Sequence, residues 1–180
     1  MTLHPTTFIA GPSGPWRIAS IVAVRGESLP LAPALRVSDP SRAGDGDSWM
    51  LRGTASNLRY TSHDGLTELR AAQSALGRPE ATCAVLIPIT KSAAWWALAQ
   101  DERMGVFQRA HHHAIGMPYV RAVARALYHS RDRGEPFDFL TWFEFAPGDT
   151  PAFDQLLAEL RASEEWGYVE REVDIRLTRS

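Results

Sequence analysis

The chain has 180 residues, 44% of them apolar, with 19 basic and 21 acidic side chains and a formal net charge of -2. That is enough chain for one or two small domains around a buried core. The near-balanced charge excludes the basic footprint of a nucleic-acid-binding or membrane-surface protein.

No apolar run approaches the ~20 residues needed to span a bilayer, and the N-terminal MTLHPTTFIAGPSGPW lacks the charged-then-apolar layout of an export signal. The expectation is a cytoplasmic protein. The single cysteine, Cys83, excludes an intrachain disulfide and lies in an apolar run, so it reads as a small core residue.

In chain order, IASIVAVRG from Ile18 is β-branched and closely flanked by Pro and Gly, which predicts a strand. The following LPLAPALRVSDPSRAGDGDS holds three prolines, then Gly44 and Gly46 among Asp and Ser, and reads as a connecting loop. WMLRGTASNLRYT, from Trp49 to Thr61, is a second strand, and Leu66, Leu69, Ala72 and Leu76 recur at helical spacing up to Gly77 and Pro79.

CAVLIPI, from Cys83 to Ile89, has the length and composition of a buried strand. Ser92 is placed to cap one long helix through AAWWALAQDERMGVFQRAHH, stopped by Gly116 and Pro118. VARALYHS, the turn RDRGEP and FDFLTWFEF form a hairpin in which Phe137, Phe139, Thr141, Phe143 and Phe145 share a face. A helix opens at Pro151 with Phe153, Leu156, Leu157 and Leu160 as its buried stripe, and WGYVEREVDIRL closes as a strand.

From Cys83 the order is therefore β-α-β-β-α-β, the ferredoxin-like motif, and the N-terminal half reads as a shortened strand-strand-helix copy. The fold class expected is α+β, with tandem ferredoxin-like halves over 1–80 and 81–180 joined in one barrel-like core.

Two features point to chemistry. His111, His112 and His113 end a helix, where neighbouring side chains diverge by about 100°, so at most one or two can reach one ion. With no HExxH and no second pair at zinc spacing, the cluster is a polar helix end near the negative pole of the dipole or a source of a single ligand. Arg125 shares a strand face with Val123 and Leu127, so an obligate cation points into a surface built for burial. It needs a salt-bridge partner, such as Glu144 or Asp138, or an anionic ligand. With Thr141, Phe143 and Phe145 opposite, the face suits an apolar cavity with one hydroxyl.

The run LIPITKSAAWWALAQDERMGVFQRAHHHAIGMPYVRAVARALYHSRDRGEPFDFLTWFEFAP, with WGYVEREVDIRL and the earlier SNLRYTSHDG, resembles the chlorite dismutase family, in particular its short dimeric branch with a reduced N-terminal half. The resemblance runs from about Trp49 onward; the first 45 or so residues match nothing in it.

The resemblance implies a dimeric α+β barrel, a homodimer, and one haem b per subunit. By spacing to Gly116 and Arg125 it makes His112 the iron ligand, with His113 one residue away as the competitor. It implies Glu165 as the carboxylate hydrogen-bonded to that histidine, with Glu164 as the alternative. Lys91, Trp95, Trp96, Asn57 and Tyr60 correspond to residues around the cofactor and its propionates. On the opposite side it implies Arg125 as the catalytic group, with Leu127, Thr141 and Phe143 lining the cavity and Gln73 positioning the arginine. Met104 and Gly105 depart from the more polar residues expected after DER.

The activity it implies is conversion of chlorite to chloride and dioxygen, Arg125 retaining hypochlorite until it recombines with a ferryl oxygen. Chlorite is already an anion, so no general base is required. The other readings are a coproheme decarboxylase-like enzyme, a non-catalytic haem-binding protein and a cofactor-free barrel.

Overall fold

The computed structural model describes residues 5–38, 44–55, 73–110 and 112–179, without the side chains of His112 and His113. Eight described strands, β1 (Thr6–Gly11), β2 (Trp16–Arg25), β3 (Ala34–Ser38), β4 (Trp49–Ala55), β5 (Cys83–Lys91), β6 (Ala124–His129), β7 (Phe139–Phe145) and β8 (Val169–Thr178), close a barrel in the order β1-β3-β2-β8-β5-β7-β6-β4. Every pairing is antiparallel.

Around the barrel, β4-β1-β3-β2 and β8-β5-β7-β6 repeat one arrangement: in each half the fourth strand flanks the first and the third separates the first from the second. This is the ferredoxin-like order, present twice. The halves meet along β2–β8 and β4–β6.

Strand alternation sorts the apolar residues onto two faces. Phe8, Trp16, Leu35, Leu51, Leu86, Leu140, Trp142, Val173 and Ile175 fill the barrel. The next residues along, Val85 and Ile87 on β5 and Phe139, Phe143 and Phe145 on β7, point outward and are covered by Phe153, Leu156, Leu157 and Leu160. Those four form the buried stripe of the helix Thr150–Arg161. No described helix is long and apolar enough to cross a membrane.

Four helices are described: α1 (Ala93–Ala97), α2 (Gln100–Arg109), α3 (His112–Gly116) and α4 (Thr150–Arg161). The β-α-β-β-α-β order from Cys83 is present, with differences in detail.

The long helix expected after Ser92 is broken. Ser92 does cap α1, its hydroxyl accepting from the Trp95 N–H at 3.2 Å. Leu98 then turns extended, and the Glu102 carboxylate accepts the Ala99 N–H at 2.6 Å to start α2. Arg103 donates to the carbonyls of Trp96 and Leu98, which the break leaves without helical partners.

The expected loop before Trp49 contains β3, which starts directly after Pro33 instead of being interrupted by it. Thr6–Gly11 forms β1, in a stretch for which the sequence predicts no element. The helix expected to end at Gly77 lies mostly outside the described residues, and from residue 73 the chain is already irregular.

Phe137 does not share the face of Phe139. It precedes β7 and packs into the barrel core, with the Arg171 guanidinium 4.4 Å over its ring. The last helix ends at Arg161, so Glu164 and Glu165 sit on a separate 3-10 turn, Glu164–Tyr168.

Candidate functional site

The outward face of the β5-β7-β6 sheet is assembled by register. Residues directly opposite in antiparallel strands share a face, and here Arg125 faces Phe143, Leu127 faces Thr141 and His129 faces Phe139. Val85, Ile87 and Ile89 continue these rows on β5. Phe139, Phe143, Val85 and Ile87 are buried, while Arg125, Leu127 and Thr141 remain half-buried. The result is an apolar floor with one cation at one end and one hydroxyl in the middle.

Among the described residues the Arg125 guanidinium has no hydrogen-bond or ion-pair partner. The salt bridges expected as alternatives are not made. Glu144 accepts instead from the Gly77 N–H at 2.6 Å and the Trp142 indole at 2.9 Å. Asp138 accepts from the Lys91 N–H at 2.8 Å and the Trp96 indole at 3.2 Å. Burial pushes the Arg125 pKa down from its ordinary value, and the Glu165 charge offsets part of that. Gln73 donates its amide to the Arg125 carbonyl at 2.5 Å, tying the segment before β5 to the strand that carries the cation.

The other end of the floor is marked by Trp96. Its ring stacks on Phe139, with centroids 6.1 Å apart and planes 10° off parallel. Phe143 and Phe139 are four residues apart on β7, so Arg125 and Trp96 lie over points separated by about 14 Å at the usual strand rise. Arg131 and Arg103 place their guanidiniums 3.7 Å and 5.4 Å from the Trp96 ring centre.

Trp95 takes the divergent direction that helical spacing requires. It is fully buried against Phe107 and Tyr168, and its indole nitrogen is a buried donor with no hydrogen-bond partner among the described residues.

Beside Trp95 lies a buried ion pair. Lys91 Nζ is 2.7 Å from Glu165 Oε1, the side chains being 2% and 6% exposed. The ammonium also lies 4.5 Å over the Trp95 ring. Burial pushes the Lys91 pKa down, and the carboxylates of Glu165 and Asp138 oppose that shift.

Glu164, its neighbour on the turn, faces solvent and pairs with Arg109 at 2.8 Å. The turn is held at several further points. Arg25 donates to the carbonyls of Trp166 and Val169 at 2.9 Å each, and the Trp166 indole donates to Glu172 at 2.7 Å. Arg161 completes this anchor through Glu172, also at 2.7 Å.

Of the histidines, His112 opens α3, whose backbone packs on α4; its side chain and that of His113 are outside the description, as is all of His111. Asn57 and Tyr60 also fall outside the described residues. The structure thus brings Arg125, Leu127, Thr141, Phe143 and Gln73 to one end of a face. Lys91, Trp95, Trp96 and Glu165 gather towards the other.

Arg131 and Arg103 are residues of this region to which the sequence assigns no part in the site, and Asp138, expected only as a possible partner of Arg125, serves Trp96 and Lys91 instead. A lone acid directly before an apolar strand was the available signal for Asp138.

Known structures resemble this arrangement closely. A dimeric chlorite dismutase from Nitrobacter winogradskyi is 53% identical and superposes with a TM-score of 0.92, over 97% of this chain and 99% of that one. A mutant chlorite dismutase from Candidatus Nitrospira defluvii, solved with cyanide, is 20% identical with a TM-score of 0.70 over 98% and 90% of the two chains, a likeness of fold. A chlorite dismutase of Ideonella dechloratans is 31% identical over 112 residues, which are 61% of this chain and 38% of that relative. The family model described as chlorite dismutase matches residues 50–180, taking in the face and the buried pair alike, and this chain belongs to that family.

Proposed function

We propose that the protein is a haem-dependent chlorite O2-lyase that converts chlorite to chloride and dioxygen. The observation that carries this reading is the Arg125 guanidinium, which has no hydrogen-bond or ion-pair partner among the described residues and is held half-buried at the end of an apolar face. Such a cation is suited to a small anion and to little else. Family membership and the 53% identical Nitrobacter structure support the same reading.

The residues fit a haem. The residues between Arg125 and Trp96 form a long apolar stretch suited to a macrocycle, with the guanidiniums of Arg131 and Arg103 at the Trp96 end to suit carboxylates. His112 would be the iron ligand, and Glu165 would accept the hydrogen bond of its second ring nitrogen, an outer contact that orients a ligating imidazole and raises its basicity. Lys91 holds the Glu165 carboxylate in place. Trp95, Trp96, Asn57 and Tyr60 would flank the cofactor, one haem b per subunit. Bound haem would supply the redox chemistry, an iron able to accept an oxygen atom from chlorite and return it.

The chain's own contribution on the substrate side is electrostatic. Arg125 attracts chlorite, which is already ionised and so needs no base. With haem bound, its guanidinium would also hold the anion left at the site by electrostatic attraction and so keep it from escaping before dioxygen and chloride are released. Leu127, Thr141 and Phe143 wall the space and exclude water, and Gln73 fixes the backbone from which Arg125 projects. The chain would act as a homodimer, like its Nitrobacter relative, and light scattering should give twice the 19.9 kDa chain mass.

The deciding experiment combines a spectrum with an oxygen electrode. Haem-supplemented protein should show a Soret band and release dioxygen on addition of chlorite. A Soret band without gas would leave a haem-binding protein of other activity, and a colourless protein would end the haem reading altogether.

A further inference from the structure

Asp138 is a buried carboxylate at the Trp96 end of the apolar face proposed to hold the cofactor, and three separate segments converge on it. Oδ2 accepts the backbone N–H of Lys91 at 2.8 Å and the indole N–H of Trp96 at 3.2 Å. Oδ1 lies 3.6 Å from the Arg131 guanidinium, which is in turn 3.7 Å over the Trp96 ring. The backbone of Asp138 is itself fixed, donating to the Ile89 carbonyl and accepting from the N–H groups of Ser130 and Arg131 at 2.9 and 3.3 Å.

An acid with its main chain locked and its side chain shared among an indole, a strand end and a guanidinium has few ways to move. Trp96 belongs to the short helix α1, which ends within two residues, so the helix alone does little to hold the indole. The stacked Phe139 restrains the ring plane but not its rotation within that plane. The hydrogen bond to Asp138 supplies the missing restraint, and Arg131 closes over the ring.

We infer that Asp138 is a positioning residue of the cofactor slot, setting the Trp96 ring across its polar end by accepting the indole N–H and drawing Arg131 over it. Lys91 is gripped by the same oxygen through its backbone, so one carboxylate registers the slot's edge against the strand that carries the Lys91–Glu165 pair. The inference rests on the haem reading, because it assigns Asp138 an effect on how long haem is retained.

The test is haem transfer from the loaded protein to an excess of apomyoglobin, with the chain's own indole resonances as a cofactor-free readout. In the unloaded protein the Trp96 indole N–H, identified by its loss in Trp96→Phe, should be protected from solvent exchange and should lose that protection in Asp138→Ala. In the loaded protein Asp138→Ala should release haem roughly tenfold faster, the scale set by a lost hydrogen bond to a charged group. Asp138→Asn, which keeps an acceptor oxygen, should recover most of the retention. Trp96→Phe should speed release as well, and the double variant Asp138→Ala/Trp96→Phe should be no faster than the faster single.

Trp96→Phe at the wild-type rate would overturn the inference even if Asp138→Ala failed to fold, and so would single effects that multiply in the double variant. A protected indole and a haem-loaded protein with unaltered release would sink this inference alone. A wild-type protein that takes up no haem would sink the proposed function and this inference together.

Discussion

Arg125 and Lys91 are both cations in apolar surroundings, but among the described residues only Lys91 has an ion-pair partner. Lys91 is neutralised by Glu165 at 2.7 Å, so the pair costs little so long as both members stay. Lys91→Met would leave the Glu165 carboxylate buried without its cation, and thermal unfolding of the cofactor-free protein should show a loss of about 3–5 kcal/mol. Arg125 has no ion-pair contact among the described residues and only the Glu165 charge offsets part of its burial, an arrangement found at functional sites. Arg125→Ala should therefore fold at least as well as the parent and keep its Soret band, while oxygen release from chlorite falls by roughly a hundredfold or more. Near-parental release would remove Arg125 from the chemistry. His112→Ala should fail to retain haem; a normal Soret band in that variant would move the ligand to His113.

At the scale of elements, the site depends on how a short turn and two broken helices are pinned. The Glu164–Tyr168 turn takes one of its anchors from α2 through Arg109 and Glu164. The Arg109 hydrogen bond holds the Glu164 carboxyl below its ordinary value of 4.5. A depressed folded-state pKa means that the tie contributes above the unfolded value and is lost as pH falls through the folded one. The pair is exposed, so its effect on stability is small. An NMR titration should nonetheless find Glu164 titrating below 4.5, and Arg109→Ala should bring it back to that value.

These tertiary anchors also explain what could be read from sequence. The face holding Arg125, Leu127, Thr141 and Phe143 was legible because a two-residue period fixes which side chains meet. Phe137 obeys the same period on paper but lies before the strand begins, so it turned inward. The break at Leu98 and Ala99 was illegible because both residues suit a helix; the Glu102 carboxylate and the Arg103 guanidinium stop it through side-chain bonds that no periodicity carries. Strands β1 and β3 were hidden by neighbouring prolines and glycines, which proved to bound the strands instead of interrupting them. Asp138 looked like a candidate salt-bridge partner for Arg125, and only the register of β7 turned it towards Trp96.

For the whole molecule, the barrel is closed by two seams between its halves. The β2–β8 seam runs from Arg17 opposite Thr178 to Arg25 opposite Glu172, whereas β4 and β6 share two described pairs, Thr54 with His129 and Ala55 with Tyr128. The β4–β6 seam is reinforced by side chains, Arg133 donating to the Thr54 hydroxyl at 2.9 Å and Arg52 pairing with Glu135 at 2.8 Å. It also needs a glycine. A Cβ at Gly53 would stand 2.6 Å from the Tyr128 Cβ and 3.0 Å from the Ser130 hydroxyl. Gly53→Ala should force the strands apart at a cost of about 1–3 kcal/mol in urea unfolding. Hydrogen exchange should rise in β4 and β6 before it rises in β5 and β8.

The β2–β8 seam sets a schedule for synthesis. Strand β8 is made last of the eight and lies between β2 and β5, so a nascent chain holds both of its neighbours with their edges open until it emerges. Pairing Arg17 with Thr178 closes nearly the whole chain into one loop, the kind of contact that slows folding. The Glu165 turn precedes β8 directly, so the buried pair with Lys91 is also completed only then. A ribosome-bound chain stalled before Val169 should therefore be open to proteases in both halves and prone to pair its bare β2 edge with other chains.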